Sequence, residues 1–274
     1  MPIRPIVFFD TSVCIDLAHF PEAHDWPRIR KCLGIDFRYR IAPVTVYELV
    51  AGLATGGDAH FDRNRKAIRV LYDPRQKKIF PPVRSFVLQT LFGDRLPTTY
   101  SADLDFRLWI KAVLQAPSRA VLQSGQLKLA NRPGTFGLAL REINQNMRRI
   151  QEGYAKHFKR FLDAKVPKLT RDVWADLIVS DYRKPSTDEN RQLISERLDA
   201  AFRFDESLCW LARSKTFNFL KHKSEIGDAQ QLYYLCDPHV YFVTNERKLK
   251  NRLAASSQAE QIITYSDLRT RVSR

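Results

Sequence analysis

Four acidic residues of this sequence lie at predicted strand-to-helix transitions or in adjoining helices, and together they could bind a divalent cation. They are Asp10, Glu48, Asp228 and Glu246. Carboxylates brought to one edge of a sheet repel one another strongly unless a cation lies between them. Ligand sets made only of oxygen suit the hard ions Mg²⁺ and Mn²⁺ rather than zinc. The sequence therefore predicts a Mg²⁺ or Mn²⁺ site formed by these residues.

Each of these carboxylates also has an ordinary structural explanation when it is taken alone. Thr45 and Glu48 have the spacing of a capping box at a helix N-terminus, and Asp228 and Gln231 have the same spacing. Glu246 would favour a helix N-terminus through the helix dipole. For any single residue, helix capping is at least as good an explanation as metal binding. The metal site is therefore a prediction about the set.

The net charge indicates which substrates such a site would act on. The chain of 274 residues has 45 lysine and arginine residues against 30 aspartate and glutamate residues, a formal charge of +15. So basic a surface favours polyanions, nucleic acid more often than an anionic membrane. Divalent ions at an acidic site would neutralise a scissile phosphate, activate a water and stabilise the leaving oxygen. The alternative that composition leaves open is a basic protein with no such partner.

Motifs for several other kinds of site are absent from the sequence. No G-x-S-x-G, P-loop or G-x-G-x-x-G pattern occurs, which removes the common hydrolase and nucleotide-binding motifs. The histidines lack metal-ligand spacing, and the four cysteines stand far apart, as in a reduced protein. Residues 1–20 have no signal-peptide pattern, and no apolar run approaches the roughly 20 residues that span a bilayer. We expect a soluble cytoplasmic protein.

A parallel sheet would bring the carboxylates together, because ligands gather at the carboxyl ends of its strands. Residues 6–9 (IVFF) have the pattern of a buried strand that ends at Asp10, and residues 6–12 are predicted as the centre of the sheet. Ser12 is the predicted N-cap of the following helix. Further strands are predicted at 39–44, 240–244 and 261–265, and helices at 13–20, 26–33, 45–52, 227–235 and 245–253.

The middle of the chain has a different pattern, in which helical spacing dominates. Helices are predicted at 62–72, 86–92, 104–114, 136–166, 171–181 and 190–220. The sequence thus predicts an α/β fold with three layers, α/β/α, around a central parallel sheet. Residues 1–53 and 221–274 would form this discontinuous domain, and residues 54–220 a large, mainly helical insertion of unassigned role.

Short sequences around the four carboxylates resemble the successive motifs of the PIN-domain nucleases. They are Phe8–Ser12 (FFDTS), Val46–Leu49 (VYEL), Gly227–Asp228 (GD) and Phe242–Glu246 (FVTNE), in the family's order. The resemblance covers residues 1–53 and 224–268. It implies a PIN-like fold and a ribonuclease that uses Mg²⁺ or Mn²⁺ and a metal-activated water to cleave RNA, leaving a 5′-phosphate.

Carried over by position, the resemblance assigns roles to individual residues. Asp10, Glu48 and Asp228 become metal ligands and catalytic residues. Glu246 takes a fourth acidic position where the family usually has aspartate, and its longer side chain would bind the metal directly or through water. The residues implied to orient the carboxylates by hydrogen bonds are Thr11 or Ser12, and Thr244 or Asn245.

The resemblance also implies protein partners. Small members of the family are toxins that pair with antitoxins, and many are dimers, so an antitoxin and a second copy of the chain are candidate partners. The long segment 54–220 departs from the compact plan of those members. It would serve as a lid, a substrate-recognition arm or a platform for a partner.

Two basic stretches are predicted to contact nucleic acid. Residues 63–84 contain Tyr72 and Phe80 between basic residues, as stacking on single-stranded bases requires. Residues 247–252 place positive charge beside Glu246, where a phosphate backbone would enter. A solvated helix face with structural aromatics explains the first stretch equally well. The residues predicted to bind are Arg63, Arg65, Lys66, Arg69, Lys77, Lys78, Arg247, Lys248 and Lys250.

Three activities are compatible with these patterns. The first is a metal-dependent ribonuclease, and the second uses the same site on structured DNA, since composition does not separate RNA from DNA. The third is a non-catalytic nucleic-acid-binding scaffold of PIN-like fold.

Asp16, six residues after Asp10, is interpreted as a solvated helix residue.

Overall fold

Four parallel strands form the main sheet of the protein. The structure is a computed structural model, and it describes residues 4–22, 25–33, 35, 37–55, 57–72, 79–95, 101–129, 132–163, 171–212 and 224–272. In chain order its strands are β1 (Ile6–Phe9), β2 (Arg38–Tyr39), β3 (Gln126–Leu129), β4 (Arg132–Thr135), β5 (Val240–Val243) and β6 (Ile262–Ile263). The main sheet has the order β2-β1-β5-β6, and β3 and β4 form a separate antiparallel pair.

Helices surround this sheet. Those before residue 130 are α1 (Thr11–His19), α2 (Trp26–Cys32), α3 (Pro43–Thr55), α4 (Asp58–Leu71), α5 (Val83–Phe92), α6 (Ser101–Gln115) and α7 (Arg119–Ser124). Those that follow are α8 (Phe136–Asp163), α9 (Arg171–Asp181), α10 (Asp188–Arg197), α11 (Asp199–Ala212), α12 (Ser224–Leu232), α13 (Arg247–Leu253) and α14 (Tyr265–Val272). In the described residues, no helix is long and apolar enough to cross a membrane.

The strand β1 lies inside the sheet and is buried on both faces. It pairs in parallel with β2 on one side and with β5 on the other. Val7 and Phe9 belong to one hydrophobic core, whereas Ile6 and Phe8 belong to a second core on the opposite face. A continuous apolar run is what such a doubly buried strand requires. The prediction of an α/β protein with a parallel sheet is confirmed.

Helices from both ends and from the middle of the chain fill these two cores. On the first face, α1, α2, α3, α4 and α6 contribute Val13, Ile29, Leu49, Phe61 and Ile110. On the second face, α5, α9, α10, α11 and α12 contribute Phe86, Trp174, Ile194, Phe204 and Leu232. Side chains of the segment 54–220 therefore share the cores that cover the sheet. The division of the chain at residues 53 and 221 stays a prediction.

Several element boundaries differ from those predicted. The strand predicted at 39–44 is reduced to β2, because Pro43 begins α3, and proline is well suited to the first position of a helix. The helix predicted over 190–220 is two helices in its described part, α10 and α11. The pair β3 and β4 was not predicted, since Pro133 and Gly134 both disfavour a strand.

Buried polar contacts explain the break between α10 and α11. The carboxylate of Asp199 forms an ion pair with Arg171 and accepts hydrogen bonds from Arg203 Nε and from the backbone N–H of Ser257 (2.7 Å). Gln258 Oε1 accepts from the N–H of Ala200 (2.7 Å), and Gln258 Nε2 donates to the carbonyl of Glu196 (2.9 Å). Groups left open at the two helix ends are thereby satisfied. The middle segment is joined in this way to the loop before β6.

Candidate metal centre

The adjacent strands β1 and β5 end side by side at the carboxyl edge of the sheet. Phe9 is the register partner of Val243, and the N–H of Asp10 donates to the carbonyl of Val243 (3.0 Å). Asp10 and Thr244 are therefore neighbours, although 234 positions separate them in sequence. This edge is where parallel sheets place their ligands.

Two hydroxyl groups hold the carboxylate of Asp10. Its Oδ2 accepts hydrogen bonds from Ser12 Oγ (2.6 Å) and Thr244 Oγ1 (3.0 Å), and the residue is 3% exposed. Asp10 is the N-cap residue of α1, but its side chain makes no capping hydrogen bond. The prediction that Ser12 is the N-cap is wrong, because α1 already begins at Thr11. Ser12 orients the carboxylate instead.

Glu48 lies in the second turn of α3 and reaches back to α1. Its Oε2 accepts a hydrogen bond from Thr11 Oγ1. The hydroxyl of Thr45 donates to the carbonyl of Phe9 (3.0 Å), so it fastens α3 to the end of β1. The capping-box explanation of Thr45 and Glu48 is wrong, because α3 begins at Pro43 and neither side chain caps it.

Asp228 is a buried residue in the interior of α12. The helix begins at Ser224, so the capping-box explanation of Asp228 and Gln231 is also wrong. Gln231, one turn further along, is fully buried, and neither atom of its side-chain amide has a hydrogen-bond partner among the described residues. An orphaned buried amide of this kind calls for a water or ion that bonds to it.

Glu246 is exposed at the rim of the site. It is the N-cap residue of α13 but makes no capping hydrogen bond through its side chain, although its charge at this helix end is favoured by the helix dipole. Its backbone N–H donates to Thr244 Oγ1 (3.1 Å). The hydroxyl of Thr244 therefore donates to Asp10 and accepts from the backbone of Glu246. One side chain couples the two positions.

The pKa values show that the carboxylates lie within reach of one another's charge. The pKa of Asp228 is raised to about 9, first by burial and then by the charges of Asp10, Glu246 and Glu48. The pKa of Glu48 is raised to about 7, chiefly by burial; the hydrogen bond from Thr11 opposes the rise, and the charges of Asp10 and Glu246 add smaller increases. The four residues form one electrostatic cluster at the edge of the sheet.

The pKa values of the other two carboxylates, Asp10 and Glu246, are also raised. Burial raises the pKa of Asp10, while hydrogen bonds from Ser12 and Thr244 oppose it. The pKa of Glu246 is raised by loss of hydration around its carboxyl group and then by the charges of Asp10 and Glu225. A bound cation would reverse all of these shifts, because it favours the ionised forms.

The chemistry of this cluster fits a hard divalent ion. In the part of the chain that the structure describes, no three histidine, cysteine, aspartate or glutamate side chains are already arranged as a ligand set. The cluster nevertheless offers only oxygen atoms, carries like charges and includes three side chains buried in whole or in part. These are the properties that Mg²⁺ and Mn²⁺ select. Asp10, Glu48 and Asp228 would hold such an ion, with Glu246 at the rim.

One acidic neighbour was missed by the sequence analysis. Glu225 lies one turn before Asp228 in α12, its charge raises the pKa of both Asp228 and Glu246, and it forms an ion pair with Arg252 (2.7 Å). The signal was its spacing, since residues three apart on a helix share a face. It was missed because the predicted helix began at Gly227 rather than at Ser224.

The predicted orienting residues divide into two groups. Thr11, Ser12 and Thr244 each bond to a carboxylate of the cluster. Asn245 has other contacts: its Nδ2 donates to Asp16 (3.2 Å), and its Oδ1 accepts from the N–H of Tyr265 (3.3 Å). Asp16 is thus bonded to the loop after β5. A role of Asn245 in orienting the carboxylates stays a prediction.

The basic residues of α13 differ in their availability. Arg247 and Lys248 are exposed beside Glu246. Lys250 forms an ion pair with Asp267 (3.3 Å), and Arg252 pairs with Glu225. Positive charge open to a polyanion is therefore concentrated in the first turn of the helix.

The basic residues of α4 are divided in the same way. Lys66 and Arg69 are exposed, whereas Arg65 donates to the carbonyl of Ala116 (2.6 Å) and Arg63 donates to Asn64 (3.3 Å). Lys77 and Lys78 lie outside the described residues.

The aromatic residues near α4 do not form a stacking platform. Phe80 is 2% exposed and packs against Phe8 and Tyr234, so its interpretation as a surface that stacks on bases is wrong. Tyr72 is half-buried against the first core. The first basic stretch therefore offers exposed charge without exposed rings.

Comparison of the chain with models of protein families, with curated proteins and with solved structures gives no match.

The raised pKa values predict how pH changes stability when no metal is present. An unfolded aspartate has a pKa near 4, whereas Asp228 in the folded protein has a pKa of about 9. The folded state therefore keeps a proton that the unfolded state releases, and the free energy of unfolding falls as pH rises from about 4 to about 9. The fall is at most about 1.4 kcal/mol per pH unit for one carboxyl group.

Urea denaturation in EDTA at pH 5 and pH 8 measures this fall. Asp228→Asn removes the group that titrates, so the variant should lose less stability between the two pH values than the wild type does. Equal losses of stability in the wild type and in Asp228→Asn would show that the pKa of Asp228 is not raised in the folded protein.

Proposed function

We propose that this protein is a metal-dependent nuclease of PIN-like fold that hydrolyses phosphodiester bonds of RNA by means of a water activated by Mg²⁺ or Mn²⁺. The observation that supports the proposal is the electrostatic cluster at the carboxyl edge of the sheet. The four carboxylates come from four separate elements of the chain: Asp10, Glu48, Asp228 and Glu246. Loss of hydration raises the pKa of each one, and the charges of other members of the cluster raise the pKa of Glu48, Asp228 and Glu246 as well.

Structural roles do not account for the cluster. Asp10 and Glu246 are N-cap residues whose side chains make no capping hydrogen bond, and within the described residues none of the four carboxylates forms an ion pair with lysine or arginine. Buried carboxylates without a counter-charge cost free energy of folding. Groups held at such a cost are characteristic of functional sites. A cation that binds there would recover this free energy.

The chain's own residues would hold and orient the ion. Ser12 and Thr244 both donate to Oδ2 of Asp10, and Thr11 donates to Oε2 of Glu48. In these two carboxylates, one oxygen is therefore held by hydrogen bonds. Such bonds fix the orientation of a ligand toward its metal. The bound ion would neutralise the scissile phosphate and lower the pKa of a water.

The charge of the protein supports nucleic acid as the substrate. The net charge of +15 favours a polyanion, and Arg247 and Lys248 are exposed next to Glu246 at the rim of the cluster. RNA rather than DNA is proposed from the resemblance of the motifs alone. An antitoxin or a second copy of the chain as partner rests on the same resemblance and stays a prediction.

Cleavage of labelled single-stranded RNA and DNA by the purified protein tests the proposal. With Mg²⁺ or Mn²⁺ the wild type should cleave RNA, and EDTA should abolish cleavage. Asp10→Asn should lower the rate by more than the roughly 10- to 100-fold that follows loss of a residue outside the ligand set. Asp188→Asn, at a side chain that is 97% exposed, is the matched control and should cleave as the wild type does.

Three results would contradict the proposal. Cleavage that persists in EDTA or in Asp10→Asn would exclude the mechanism based on metal and carboxylates. Cleavage of DNA alone would assign the same site to a DNA nuclease. Binding of both nucleic acids without any cleavage would favour a non-catalytic scaffold.

The exposed pair on α13 generates a second prediction. Replacing Arg247 and Lys248 together by glutamine should weaken RNA binding and reduce the slope of log affinity against log salt by about 1.4, because each phosphate contact on a single strand contributes about 0.7. Lys250→Gln is the control, since that lysine is already paired with Asp267 and should change the slope little. Fluorescence anisotropy over a range of salt concentrations measures both. An unchanged slope in the double variant would place the substrate elsewhere.

A further inference from the structure

The carboxylate of Glu48 occupies the space beside Gly227 that a side chain would fill. A Cβ atom built on Gly227 would overlap Glu48 Oε1 far inside van der Waals contact, and would lie 3.2 Å from Val44 Cγ1. Gly227 is the residue directly before Asp228 in α12, whereas Val44 and Glu48 lie one turn apart in α3. The two helices therefore meet at this glycine, with an oxygen atom of the acidic cluster between them.

Backbone conformation does not explain the glycine. Gly227 is in the interior of α12 and lacks the positive φ that favours glycine. Among the described glycines, Gly93 has such a φ. Glycine destabilises a helix interior relative to alanine. A residue with no side chain at this position is therefore explained by the space that it leaves for Glu48.

The space is used by one particular oxygen of the carboxylate. Thr11 Oγ1 donates to Oε2 of Glu48, and Oε1 is the atom that lies against Gly227. Thr11 and Gly227 thus confine the carboxylate from two sides, one by a hydrogen bond and the other by close approach. The oxygen that Thr11 does not hold lies next to the backbone that carries Asp228.

We infer that Gly227 is a positioning residue for the metal site, because it leaves the space in which Glu48 Oε1 lies beside Asp228, where the two carboxylates would hold the ion. The inference depends on the proposed metal-dependent activity and extends it to a residue that carries no ligand atom. A methyl group at position 227 would displace the flexible end of Glu48 more readily than it would displace either helix. The fold would be kept, and the ligand set would lose one member.

Titration of Mn²⁺ into the full-length protein, followed by calorimetry, tests this inference. Gly227→Ala should bind Mn²⁺ about 10- to 100-fold more weakly than the wild type, as loss of a residue that orients a ligand does. Gly153→Ala is the matched control, because Gly153 is also inside a helix but a Cβ there would meet nothing within 4 Å. It should bind Mn²⁺ as the wild type does.

Shortening the displaced side chain separates positioning from general damage to the fold. In a Glu48→Asp background the carboxylate no longer reaches the new methyl group, so adding Gly227→Ala should cost no further affinity. Such loss of additivity is the signature of two residues in contact. The same penalty in both backgrounds, or wild-type affinity in Gly227→Ala, would overturn the inference.

Two further outcomes remain decisive. If the wild type binds no Mn²⁺, the proposed function itself fails, independently of Gly227. If Gly227→Ala does not fold, judged by circular dichroism, the double variant with Glu48→Asp decides. Recovery of the fold and of the Mn²⁺ affinity of Glu48→Asp supports the inference, and failure to recover either overturns it.

Discussion

The parallel pairing of β1 with β5 is the contact on which the rest of the site depends. It joins the strand at Ile6–Phe9 to the strand at Val240–Val243, so their last residues lie in register. Asp10 and Thr244 follow directly and bond to each other through their side chains. The hydroxyl of Thr45 then fastens α3 to the carbonyl of Phe9. This edge of the sheet thus brings together α1, α3 and the loop that leads to α13, and with them Asp10, Glu48 and Glu246.

Electrostatic repulsion is the cost of this arrangement. Burial raises the pKa of both Asp228 and Glu48, and neighbouring carboxylates raise both further. A fold selected for stability alone would pair such groups with basic residues, as it does at Asp199 with Arg171 and Arg203. The contrast between these two buried acidic sites is informative. At Asp199 the carboxylate joins helices to a loop, whereas at the sheet edge none of the four carboxylates forms an ion pair with a described lysine or arginine.

The strands β1 and β5 could be predicted from the sequence because both have strong local signals. Ile6–Phe9 is a continuous apolar run that ends in a carboxylate, and Val240–Val243 has the same character. Local spacing misled where tertiary contacts decide. Thr45 and Ser12 have capping patterns, but their hydroxyls bond to β1 and to Asp10. The burial of Phe80 and the closeness of Gly227 to Glu48 depend on contacts between distant segments, which no local pattern encodes.

Counting the protons released on metal binding tests the central claim most directly. Because the raised pKa values leave Asp228 protonated and Glu48 partly protonated near neutral pH, a cation that binds their ionised forms must displace those protons. Calorimetric titration of Mn²⁺ at pH 7, repeated in two buffers of different ionisation enthalpy, gives that number. We predict binding with net proton release by the wild type, and weaker binding with fewer protons released by Asp228→Asn. Absence of Mn²⁺ binding, or binding without proton release that Asp228→Asn leaves unchanged, would contradict the account.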